Sequence, residues 1–91
     1  MRVQESVKFK KNLKNILIYI SRDKKIAAVN FKNNLKKLIQ NLKFMPYKYR
    51  KSYFYDDENI RDLIFKGYVI PYLIDKEKII ILDIFKWREN E

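Results

Sequence analysis

Cysteine and histidine are both missing from this 91-residue chain, and the acids of its first half are nearly missing too. Without cysteine there are no disulfides and no thiolate sites. Without histidine, the commonest metal ligand and the usual near-neutral proton carrier are gone, which excludes zinc sites of the ordinary kind and His-based triads. A single glycine, Gly67, leaves no Gly-rich loop to cradle a nucleotide phosphate. No apolar run approaches the roughly 20 residues needed to span a bilayer, and Met1-Arg2-Val3-Gln4-Glu5 lacks the apolar core of a signal peptide. A cytoplasmic protein that does not enter a membrane is the expectation.

What the chain does hold is 47% hydrophobic residues, 15% aromatics and a net charge of +10. That is apolar surface enough for one core, and the length predicts one domain over residues 1–91. The charge is unevenly spread. Residues 1–51 hold 15 Lys and Arg against Glu5 and Asp23, whereas residues 52–91 hold 6 against 9 acids. The basic half suits an acidic protein, a nucleic acid or an anionic surface.

Periodicity divides the chain in the same way. Arg2 to Glu5 reads as a short strand, and Ser6 is placed to cap a helix starting at Val7. Phe9, Leu13, Ile16, Leu17 and Ile20 recur at helical spacing. After Ser21-Arg22-Asp23-Lys24, with Asp23 as the expected second cap, Ala28, Phe31, Leu35, Leu38, Ile39 and Leu42 form another stripe. So short a link predicts an antiparallel helical hairpin, ended by Pro46.

From Ile60 the pattern is that of strands, with turns at Lys66-Gly67 and Asp75-Lys76-Glu77-Lys78 and a final strand that starts at Ile79 and runs into Lys86-Trp87-Arg88, with Arg88 just after it. Pro71 inside the middle strand predicts a local irregularity, because proline cannot donate to a ladder. The whole reads as a two-layer α+β domain, β-α-α-β-β-β, with the hairpin packed on a small antiparallel sheet whose other face stays partly open. Between helices and strands, Tyr47, Tyr49, Tyr53, Phe54 and Tyr55 lie among Lys48, Arg50 and Lys51, an arrangement that either stacks on bases or covers one end of the core. The run Asp56-Asp57-Glu58 is expected to be a turn rather than a metal site, and no cofactor or metal is expected.

This order of elements resembles the RelE/ParE superfamily of bacterial toxins from type II toxin-antitoxin modules. The resemblance is carried by Ser6, Ala27-Ala28 with Phe31, Leu42 and Pro46, Ile60-Arg61-Asp62-Leu63, Gly67-Tyr68-Val69-Ile70-Pro71-Tyr72-Leu73-Ile74-Asp75 and Lys86-Trp87-Arg88. It implies a growth-arresting toxin and a cognate acidic antitoxin with which it assembles as a hetero-oligomer. It also implies Lys48, Arg50, Lys51, Arg61, Lys86 and Arg88 as target- or phosphate-binding candidates, since a guanidinium offers phosphate a permanent charge and a fork of donors. A structural alternative for Arg61 is an ion pair with Asp62 or Asp83.

RNA-cleaving members often carry a His or Tyr near the site and an Arg after the middle-strand Tyr. Here the chain ends Lys86-Trp87-Arg88-Glu89-Asn90-Glu91, and Val69 stands at the Arg position. Both departures favour the ParE-like side, which implies DNA gyrase as target and no catalytic residues. The alternatives are ribosome-dependent cleavage of mRNA and a non-toxic nucleic-acid-binding domain.

Overall fold

The computed structural model describes residues 1–87, as the strand β1 (Arg2–Glu5), helices α1 (Val7–Ser21) and α2 (Lys25–Asn41), and strands β2 (Ile60–Phe65), β3 (Tyr68–Asp75), β4 (Lys78–Ile81) and β5 (Phe85–Lys86). This is the expected α+β arrangement. Ser6 caps α1 by accepting from the Phe9 N–H at 3.0 Å, and its own hydroxyl donates to the Leu82 carbonyl at 2.8 Å. Asp23 does not cap α2. The cap position belongs to Lys24, which makes no side-chain cap bond. Asp23 is instead taken up in closing α1, its N–H donating to the Ile20 carbonyl at 3.2 Å. At the other end α2 stops at Asn41, before Pro46, and tightens into three-residue turns through Leu42, Lys43 and Phe44.

The strand order is β1-β4-β3-β2, with β5 also pairing β3. β2, β3 and β4 form the antiparallel meander, while β1 runs parallel to β4, so the sheet is mixed. Lys66 at φ 50° and Gly67 at φ 83° make the two-residue β2–β3 turn, which needs positive φ and explains where the glycine falls.

The last strand is two strands. Tyr72 faces Ile81 and Val69 faces Phe85, so three steps along β3 match four along its partner. One extra residue, a bulge, therefore lies within Leu82-Asp83-Ile84. It sits opposite Pro71, whose carbonyl accepts from the Leu82 N–H at 2.9 Å. A strand residue points its N–H and C=O to the same side, so the donor that Pro71 lacks would have faced the bulge. Asp83, buried at the bulge, accepts from Asn12 at 2.7 Å and from the Ile84 N–H at 2.7 Å and meets Lys8 at 3.4 Å, which ties the irregularity to α1.

The core lies between hairpin and sheet. Phe9, Leu13, Phe31, Leu35, Ile39 and Leu42 from the helical half meet Leu63, Ile70, Tyr72, Ile74, Ile79, Ile81 and Ile84. Phe31 packs against Phe65 and Tyr68 at ring distances of 5.0 and 5.5 Å. Among the described residues no helix is long and apolar enough to cross a membrane.

Candidate functional site

Alternation along β2 separates the candidate residues. Arg61, Leu63 and Phe65 pair with Tyr72, Ile70 and Tyr68, all on the helix-covered face. Ile60, Asp62 and Ile64 consequently point to the opposite, open face.

On the covered side, Arg61 organises the chain that follows α2. Its Nη1 donates to the Tyr49 carbonyl at 3.1 Å, and its guanidinium lies 5.0 Å from the Tyr47 ring. The alternative of an ion pair with Asp62 or Asp83 is not realised: neighbours in a strand face opposite ways, and Asp83 is engaged at α1. Beneath Arg61, Tyr72 is fully buried and donates to the Pro46 carbonyl at 2.7 Å. Burial pushes the Tyr72 hydroxyl above the ordinary tyrosine range, and the Arg61 charge only partly offsets it. Tyr72 is thus a fixed donor that holds the Pro46 turn.

On the open side, the segment after Arg50 crosses the outer edge of β2. The Asp62 N–H donates to the Arg50 carbonyl at 3.1 Å, the Ser52 N–H donates to the Ile60 carbonyl at 2.8 Å, and Lys51 bridges to Arg61. Tyr53 and Phe54 then fold over the face. Phe54 packs edge-on against Phe85 at 4.9 Å and Trp87 at 5.7 Å, and Tyr53 lies 6.3 Å from Trp87. The Arg50 guanidinium lies 3.8 Å from the Tyr53 ring and 5.4 Å from that of Trp87. Under it, Asp62 is completely buried, accepting from the Tyr53 N–H at 3.0 Å and from Arg50 Nη2 at 3.5 Å.

The remaining candidates are dispersed. Lys51 reaches Glu58 at 3.3 Å on the surface, Lys48 lies over Tyr49 at 5.6 Å, and Lys86 lies over Tyr68 at 5.3 Å on the side of β5 away from Trp87. Arg88 lies outside the described residues. The Asp56-Asp57-Glu58 run forms a turn, with the Asn59 N–H donating to Asp57 Oδ1 at 2.8 Å. So the fold brings Lys48, Arg50, Lys51 and Arg61 to one end of β2 but sends Arg50 and Arg61 to opposite faces. The sequence offered Asp62 only as one possible partner for Arg61, and Trp87 only within Lys86-Trp87-Arg88; neither was read as part of the open-face site.

The family described as "ParE toxin of type II toxin-antitoxin system, parDE" matches residues 3–91. The chain belongs to the ParE toxin family. Among solved structures, the chromosomal ParDE TA system from P. aeruginosa superposes with a TM-score of 0.77 at 15% identity over 97% of both chains. At that identity the likeness speaks for the ParE fold alone. A comparison with curated proteins gives no match. ParE membership places the chain in the RelE/ParE superfamily, as its element order implied.

Proposed function

We propose that this ParE-family chain is a single-domain toxin that acts in the cytoplasm, arrests growth by inhibiting DNA gyrase, and is neutralised by a cognate acidic antitoxin. The observation that carries this reading is the fate of the acidic groups near Arg50 and Arg61. Cleaving RNA requires a group that takes the proton of the attacking 2′-hydroxyl, normally an imidazole or a carboxylate within hydrogen-bond reach. The chain has no histidine, and the carboxylate beside Arg50 is Asp62, fully buried and with its Oδ2 engaged by Arg50 and the Tyr53 N–H. Tyr72, a fully buried donor to Pro46, is likewise unsuited to accept that proton. Gyrase inhibition needs a complementary surface and no such group. For the antitoxin, residues 7–41 present ten Lys and Arg against Asp23 alone, which favours an acidic partner on the helices.

The test pairs two assays on purified protein. The toxin is expected to block supercoiling by gyrase or trap cleaved DNA, and to leave mRNA in programmed ribosomes uncut. Codon-positioned cuts with supercoiling unaffected would move it to the RNA-cleaving side of the superfamily.

A further inference from the structure

Asp62 is costly where it stands. Among the described residues its Oδ1 and the Arg50 Nε are both buried without a hydrogen-bond partner, and the contact to Arg50 Nη2 is long at 3.5 Å. Asp62 is fully buried while the Arg50 side chain is 35% exposed, so the carboxylate loses its water without gaining a full set of bonds, and an apolar pair of the same shape is often at least as stable. The neighbouring open-face positions are apolar: Ile60, Val69, Pro71 and Leu73. Stability alone would place a similar residue at 62. What Asp62 does accomplish is positional, since it draws the Tyr53 backbone and the Arg50 head onto the sheet and so fixes the rings around them.

The product is a preformed patch of Arg50, Tyr53, Phe54, Phe85 and Trp87. Tyr53 is 70% exposed and Phe54 47%, so large rings are held at the surface rather than buried. Trp, Tyr and Arg in a rigid cluster are the residue types that dominate protein–protein contacts. A nucleic acid is disfavoured, because the Arg50 charge is countered by Asp62 and residues 52–91 hold more acids than bases. An acidic antitoxin has a better complement on the helices.

Building on the toxin reading, we propose that this Asp62-latched cluster is the patch by which the toxin grips its target protein, a folded surface offering an apolar socket with an acceptor for Arg50. Asp62 is the positioning residue and Tyr53 the projecting anchor.

The experiment induces variants in a bacterial host without antitoxin, at matched protein levels, and assays the same proteins on gyrase. Tyr53→Ala is expected to raise the dose needed for growth arrest about tenfold or more while leaving the unfolding midpoint unchanged. Tyr53→Phe, which keeps the ring, should restore arrest. The double variant Arg50→Met with Asp62→Leu should match or exceed the wild-type midpoint and still fail to arrest growth, which separates positioning from stability. Acrylamide quenching of Trp87, the chain's one tryptophan, should rise in that variant as the strap loosens. Arrest at the wild-type dose by Tyr53→Ala or by the double variant overturns the proposal. So does a single-stranded oligonucleotide that binds at physiological salt and is lost with Tyr53→Ala, which would reassign the patch to nucleic acid. Wild-type arrest with supercoiling intact would instead remove the gyrase reading, and the patch would still be judged on arrest.

Discussion

Leu63, Ile70, Ile74, Ile79 and Ile81 point from the sheet toward the helices, and each is at most 6% exposed. One residue along, the same strands carry Asp62, Val69, Pro71 and Leu73 toward a strap of Arg50, Tyr53 and Phe54. The covered face is largely apolar and closed by two helices; the open face is closed partway, by rings that stay half in water around the buried Asp62 carboxylate and its half-buried partner Arg50. The difference separates two tasks within one sheet. The first face holds the fold together, and the second spends some of that stability on a surface of fixed shape.

The largest expected break in this comparison comes from Leu35→Ala. Leu35 is fully buried between helix and sheet, so its removal should cost about 2–5 kcal/mol through the cavity left behind, read from thermal or denaturant unfolding. Phe54→Ala on the open face removes a ring of similar bulk, yet should cost under about 1 kcal/mol because the ring is half exposed and its neighbours can close up. Equal losses at the two positions would mean that both faces hold the fold together alike.

Ser6→Ala is next, at about 1 kcal/mol, because it removes the cap of α1 and the bond that ties its start to Leu82. Tyr72→Phe should cost about as much through the lost bond to Pro46, with the covered face otherwise intact. Its pH signature is more specific. The folded-state value of Tyr72 lies above its unfolded value, so the stability linked to its proton is intact below about pH 10 and falls as pH rises beyond that. Unfolding midpoints measured above pH 10 should therefore fall less steeply in Tyr72→Phe than in the wild type. Lys51→Ala, which breaks the exposed pair with Glu58, should change stability by less than about 0.5 kcal/mol.

The apolar stripes made most of the fold legible, because both helices and the meander obey a local period that any reader of Phe9-to-Ile20 or Ile60-to-Asp75 can follow. What failed was decided across the chain. Asp23 has the chemistry of a cap, but a link of three residues leaves it finishing α1. The run from Ile79 onward is uniformly strand-like, and only the missing donor of Pro71, paired in space, divides it into β4 and β5. For the site, the basic candidates around β2 were readable, while the face each one occupies was not. Register sends Arg61 toward the helices, where it holds the Tyr49 carbonyl rather than Asp62 or Asp83. Asp62 gave no local sign of its importance, since its partners Arg50 and Tyr53 reach it around the outside of the strand.

The parallel pairing of β1 with β4 has a consequence in time. Arg2 lies opposite Lys78, so the two strands are joined by nearly the whole described chain, whereas β2, β3 and β4 are linked by two-residue turns. Closing so long a loop is entropically slow, and local hairpins form first. The meander should therefore be present in the transition state for folding and β1 should dock afterwards. Val3→Ala would then speed unfolding with little change in the folding rate, whereas Ile70→Val would slow folding. The opposite pattern would make the first strand part of the nucleus. Until β1 arrives, the outer edge of β4 is an unoccupied template for any other extended chain, which gives its docking a protective role in assembly beyond its four residues of pairing.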